Sequence, residues 1–317
     1  MRTAFSNALV AAAKADSRIL LLTGDHGYAL FDDFRSACPD QYINAGVAEQ
    51  NMVGVAAGLA KGGFHPFVYG LSAFVPIRVL EQIKMDVCYH ELPVIFIGDG
   101  AGVVYSTLGS SHQSTEDIAA IRSLPNISIY SPADAWEMAA CMKLAISSSS
   151  PVYLRMGKAD LGTIHDSVPS FQNGGLINVK QGRSQLAFVA TGSMVFAARA
   201  VANLWPDVAV WSAPSIKPIN ADAITEIARQ HELIVTFEEH SVTGGLGSIV
   251  AEIVSERFPR RVLRIGIQER FSQFCGTYEY LMREHKLDVE SVVKKIRDYL
   301  LSQGMSDDFG VRATTSR

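Results

Sequence analysis

The stretch 41-QYINAGVAEQNMVGVAAGLAKGGFHPFVYG-70 decides the fold. A strand-like piece ends at Gly46, and Glu49 then opens a helix whose remaining positions are small or apolar: Met52, Val53, Val55, Ala56, Ala57 and Leu59. The apolar run 67–69 reads as the next buried strand. A carboxylate thus stands where a buried helix begins. On local grounds alone it reads as a first-turn Glu that caps the helix and complements its dipole.

The same alternation extends in both directions. Apolar, β-branched runs at 19–22, 93–97, 127–130 and 152–154 read as strands, and helix-like patterns occupy 51–60, 77–89 and 133–146. This predicts an α/β domain over 1–161, a mostly parallel sheet with helices on both faces. Between 162 and 184 the pattern lapses into Gly, Asn, Ser and Pro, as expected of a linker. A second, smaller α/β domain is predicted over 185–302, with strands at 186–191, 208–211, 233–237 and 262–267 and helices at 195–204, 221–230 and 246–258. The polar tail 303–317 is expected to be flexible.

Composition sets outer limits. A chain of 317 residues suits two domains, and 48% hydrophobic with 19% charged residues is ordinary for a globular protein. The net charge of −4 offers no basic field for nucleic acid or an anionic membrane, so any phosphate must be held locally. The N-terminal residues lack the pattern of a secretory signal, and no apolar run approaches the ~20 residues that cross a bilayer. A cytoplasmic location is the expectation. Cys38, Cys88, Cys141 and Cys275 are far apart with no CxxC pair, which predicts core thiols rather than a zinc site or disulfides.

Three segments carry a family resemblance: INAGVAEQNMVGVAAGLAKGG around Glu49, TEDIAAIRSLPNISIYSPAD at 115–134, and FEEHSVTGGLGSIVAE at 237–252. Together they resemble the transketolase superfamily, which includes transketolases, deoxyxylulose-phosphate synthases and the beta subunits of 2-oxoacid dehydrogenases. The resemblance implies a thiamine-diphosphate-binding fold: a pyrimidine-binding domain followed by a transketolase C-terminal domain. It implies that Glu49 hydrogen-bonds N1′ of the cofactor's aminopyrimidine. A carboxylate sharing a proton with N1′ favours the imino tautomer, which acts as an internal base, and burial promotes that sharing.

The same resemblance assigns further positions. Phe74, in GLSAFVPIR, matches the aromatic that stacks on the aminopyrimidine and keeps water away. Asp25, in LLTGDHGY, matches an acidic position on the pyrimidine side, and Arg78 matches a synthase Arg if one residue is inserted. His112, in GAGVVYSTLGSSHQS, matches the His of a THQ-type motif and could assist proton transfer. Arg2, Arg155 and Lys158 are candidate holders of a sugar phosphate. Two departures stand out: Leu108 replaces an acidic residue that reads the donor sugar, and Gly98 replaces a second His.

Gly98-Asp99-Gly100 followed by Asn126 imitates the metal motif of such enzymes, but Asn126 precedes a strand instead of following one. No metal ligand is therefore expected in this chain. The Glu238, Glu239 and His240 group with the GGLG that follows reads as structural. The resemblance implies an N-terminal diphosphate-binding subunit that carries Mg²⁺ (or Ca²⁺) and joins this chain in an α₂β₂ assembly. The activity implied is transfer of a two-carbon ketol unit from a ketose phosphate to an aldose. Another carboligation by the same fold, a 2-oxoacid dehydrogenase beta subunit and a silent partner protein are the alternatives.

Overall fold

The computed structural model describes residues 1–305 except Tyr28 and Ala159, so the tail from 306 onward lies outside the described residues. The first sheet holds β1 (Ile19–Thr23), β2 (Tyr42–Asn44), β3 (His65–Leu71), β4 (Ile95–Asp99), β5 (Ser128–Tyr130) and β6 (Val152–Met156). All six run parallel, in the order β5-β6-β4-β3-β1-β2. Every side chain of β1, β4 and β6 is buried, as expected of strands covered on both faces.

Helices Arg2–Ala15 and Ala135–Ile146 cover one face, packing Phe5, Leu9, Met138 and Met142 against Phe67 and Tyr130. The helix Glu49–Lys61 covers the other through Met52, Val53 and Ala56. The helical segment predicted at 77–89 is continuous only in outline: it turns as Ile77–Val79, Leu80–Gln82 and a wide π-turn over Ile83–Cys88.

The second sheet is built from β7 (Ile177–Lys180), β8 (Leu186–Ala190), β9 (Ala209–Ser212), β11 (Leu233–Ser241) and β12 (Arg261–Ile267), in the order β12-β11-β8-β9-β7. Strand β7 runs antiparallel to β9, so the 162–184 connection contributes an edge strand to this sheet. One further strand, β10 (Ser215–Lys217), crosses back to pair antiparallel with β5 at the edge of the first sheet. The two halves of the chain therefore share a sheet as well as a linker.

Of the four cysteines, Cys38, Cys88 and Cys141 are buried thiols, whereas Cys275 is exposed and corrects the expectation of a core residue. It lies in the irregular segment between β12 and the helix Tyr278–Glu284, where Phe271 and Phe274 also face solvent. No helix among the described residues is long and apolar enough to cross a membrane.

Candidate active site

Four adjacent parallel strands end on the same side of the first sheet, and each delivers a predicted residue. Asp25 follows β1, Glu49 follows β2, Phe74 follows β3, and the loop bearing His112 follows β4. The chain passes from β1 to β2 on one side and returns to β3 on the other, so these loops flank a topological switch point, where open α/β sheets bind ligands.

Glu49 is 5% exposed at the first position of its helix, with no side-chain cap on Ala48 before it. Its two carboxylate oxygens accept from Arg78 Nη1 at 3.2 and 3.1 Å. The Arg78 guanidinium lies over the Phe74 ring, its carbon 4.0 Å from the centroid, and the His112 ring meets the same Phe74 edge-on at 5.4 Å. Glu49, Phe74, Arg78 and His112 thus form one cluster. Asp25 is exposed at a backbone φ of 61° and accepts from Asn44 Nδ2 at 3.2 Å.

This arrangement tests the fit of an aminopyrimidine. Arg78 presents a flat N–H donor group that stacks on Phe74 while bonding Glu49, the two contacts the heterocycle requires. The residues present suit the pyrimidine end of thiamine diphosphate. Among the described residues, no group of three or more His, Cys, Asp or Glu side chains could hold a metal ion.

The candidate phosphate cations are placed unequally. Arg155 is corrected: only 3% exposed, it donates from Nε to Asp117 Oδ2 at 2.8 Å and from Nη2 to the Glu239 carbonyl at 2.9 Å. It is a structural cation between the domains. Arg2 pairs with Asp99 and donates to the Tyr105 hydroxyl at 3.0 Å, with nearly half its side chain in solvent. Lys158 bonds Asp160 at 2.9 Å and lies 5.3 Å from the Tyr278 ring centre.

The GDG and Asn126 pairing fails in space. Asp99 ends β4 and accepts from Tyr69 at 2.7 Å and Tyr105 at 3.0 Å, while Asn126 donates to the Cys88 carbonyl at 3.2 Å. In register, Ile95 lies level with Val152 and Val152 with Ser128, so Asn126 sits beyond the amino ends of the strands and Asp99 at their carboxyl ends.

The FEEH segment is buried between the domains. Glu238 accepts from Leu246 N at 2.7 Å and Gly247 N at 2.9 Å, capping the helix Leu246–Arg257. Glu239 accepts from Val103 N at 2.8 Å, from Tyr278 at 2.6 Å and from Ser193. Glu239 and Ser193 lie at the carboxyl ends of β11 and β8, where the second sheet has its own switch point. The first domain fills that crevice, so the ligand position of the second sheet serves as a domain contact.

His240 is held neutral by geometry. Its Nδ1 donates to the Ser241 carbonyl at 2.7 Å, leaving Nε2 to accept from Ala119 N at 3.3 Å. Burial pushes the imidazole down to about 4, from an ordinary 6.5, and pushes the Glu238 carboxyl up to about 7, from 4.5. The two act on stability with opposite signs. The His240 contribution is present above pH 6.5 and is lost as pH falls toward 4, while that of Glu238 is present below 4.5 and is lost as pH rises through 7. Between pH 4.5 and 6.5 they offset, so His240→Gln should make the chain gain stability on acidification across that window. Urea midpoints measured at several pH values check this; a profile parallel to the parent's would contradict it.

Comparison with known proteins agrees with this architecture. Residues 1–163 match the family profile for the transketolase pyrimidine binding domain, and residues 175–292 that for the transketolase C-terminal domain. The chain belongs to the transketolase family. It is 33% identical to an apulose-4-phosphate transketolase subunit of Phocaeicola vulgatus, over 94% of this chain and 97% of that one. It is 31% identical to the 6-deoxy-6-sulfo-D-fructose transketolase subunit SqwH of Clostridium sp. (strain MSTE9), over 93% and 92%. A solved split-gene transketolase, described as an inactive beta4 tetramer, superposes with a TM-score of 0.85 at 34% identity, over 95% of this chain and 97% of that one. Membership implies dependence on thiamine diphosphate, and likeness to separate subunits implies a partner subunit.

At Gly98, where a family His was expected, a Cβ would run into the Tyr153 hydroxyl, which donates to Asp117 at 2.7 Å. Tyr153 fills the space that a side chain at Gly98 would need. Gly98→Ala should lower stability by about 1–3 kcal/mol through overpacking, read from the denaturant midpoint; an unchanged midpoint would show the site to be slack.

Proposed function

We propose that this chain is the pyrimidine-binding subunit of a two-chain transketolase, which moves a two-carbon ketol unit from a ketose carrying an anionic group to an aldose. The observation that carries the reading is the joint placement of Glu49, Phe74 and Arg78 around one flat, hydrogen-bonding position. Thiamine diphosphate, when bound, supplies the nucleophilic carbon that carries the two-carbon unit. Glu49 holds the proton at N1′ of its pyrimidine, Phe74 orients the ring and excludes water, and Arg78 gives way to the heterocycle while staying beside Glu49. His112, at the Phe74 edge, handles the proton of a sugar hydroxyl. Arg2 and Lys158 remain as cations for the anionic end of the sugar. Two relatives are named for a phosphorylated and a sulfonated ketose, which supports an anionic donor.

We assign the diphosphate and its Mg²⁺ to the partner, a reading supported by the match of this chain to the pyrimidine binding domain. Exposed Val47, Leu108, Phe271 and Phe274 lie in the segments that carry or brace Glu49 and His112, and apolar side chains so placed suit a protein contact. An α₂β₂ assembly places the two half-sites together.

The test is co-expression with a diphosphate-binding transketolase subunit, followed by assay of ketose phosphates and ketose sulfonates with thiamine diphosphate and Mg²⁺. Product should form only with both chains present. Turnover by this chain alone would defeat the division of labour.

A further inference from the structure

The loop that carries His112 is held from the second domain. Ser110 Oγ donates to the Ser272 carbonyl at 3.2 Å, and the Ser272 hydroxyl donates to Gln113 Oε1 at 2.7 Å, one residue from His112. Gly276 N reaches the Ser106 carbonyl at 3.4 Å, and Cys275 Sγ packs against Gly109, which takes a φ of 77°. Four bonds and contacts therefore brace both short turns of the loop, Ser106–Leu108 and Ser110–His112.

Ser272 has one proton, and Gln113 receives it. Its oxygen must then accept from His285 Nε2 at 2.8 Å, which fixes His285 in the Nε2–H tautomer with Nδ1 a bare acceptor. Both Nδ1 of His285 and Nε2 of Gln113 are buried without a protein partner, on side chains only 4% and 7% exposed. The two residues line a small recess with Ser110, Thr115 and Ser272, bordered by the exposed Glu116, Arg270 and Phe271. Burial and the neighbouring Arg270 also hold the His285 imidazole below its usual pKa, in keeping with a neutral ring.

We propose that Ser272 and His285 of the C-terminal domain are positioning residues for the His112 loop, acting through a hydrogen-bonded chain from His285 through Ser272 to Gln113. The catalytic consequence rests on the reading of His112 as the proton-handling group. The chain of contacts gives the second domain a task in the active site of the first, one that packing alone does not require.

The experiment uses ¹⁵N-histidine NMR on the full chain and steady-state kinetics on its complex with a diphosphate-binding subunit. His285 should appear as the Nε2–H tautomer, and Ser272→Ala should displace the His112 resonances. In the complex, Ser272→Ala should lower kcat about tenfold with the KM for thiamine diphosphate unchanged, as one lost loop contact predicts. Ser272→Thr, which keeps the hydroxyl, should restore most of that rate. An Nδ1–H tautomer at His285, or wild-type kcat in Ser272→Ala, would overturn the proposal. A wild-type complex without transketolase activity would instead remove the catalytic reading of His112, and the tautomer and the His112 resonances would still decide the chain of contacts.

Discussion

Glu49→Gln, assembled with a diphosphate-binding subunit, is expected to lose about 10²–10⁴-fold in kcat while folding and assembling as the parent does. The substitution is nearly isosteric and keeps an oxygen for Arg78, whose side chain is 46% exposed. A half-exposed ion pair contributes at most about 1 kcal/mol, so the denaturant midpoint should hardly move. What is lost is the ability to hold a proton at N1′, which an amide oxygen cannot do. Kinetics on the complex, with cofactor affinity measured separately, distinguish a chemical defect from a binding one. Retention of parental kcat would mean that Glu49 is only the first-turn helix residue its local sequence suggests.

Arg155→Met is expected to lower stability by about 3–5 kcal/mol. The Asp117 carboxylate is fully buried and accepts from Arg155 at 2.8 Å and Tyr153 at 2.7 Å. Removing the guanidinium leaves that charge with one hydroxyl and with His240, which lies 3.9 Å away and is held neutral. The bond from Arg155 to the Glu239 carbonyl is lost at the same time, so the domains should also separate more readily. Urea unfolding reports the loss, and the Asp117→Asn/Arg155→Met double variant should recover most of it because no unpaired charge remains. Equal destabilisation in single and double variants would show that Arg155 acts through its packing.

The same residue shows how a sequence reading can go astray. Arg155 in PVYLRMGKAD had the residue type and neighbourhood of a phosphate ligand. Its partner Asp117 lies 38 positions earlier, and nothing local reveals a buried pair. Arg78 went the other way. Its spacing from Phe74 matched poorly, yet one turn of irregular helix carries the guanidinium over the Phe74 ring and onto Glu49. Ser272 and His285 gave no sequence signal, because Ser272 meets Gln113 across 159 positions through the docking of the two domains and His285 reaches that contact only through Ser272.

Alternating apolar runs and helical periods determined most elements of both sheets, because burial on two faces demands continuous apolar strands and local pattern records it. Pattern also placed Glu49 at the head of its helix. Strands β7 and β10 escaped it, each three or four residues long and held by pairing with strands distant in the chain. Only the tertiary structure decided which charges face a ligand and which are locked between domains. Side-chain type is a property of the residue, but its partner is set by strand order, and strand order joins positions the sequence keeps far apart.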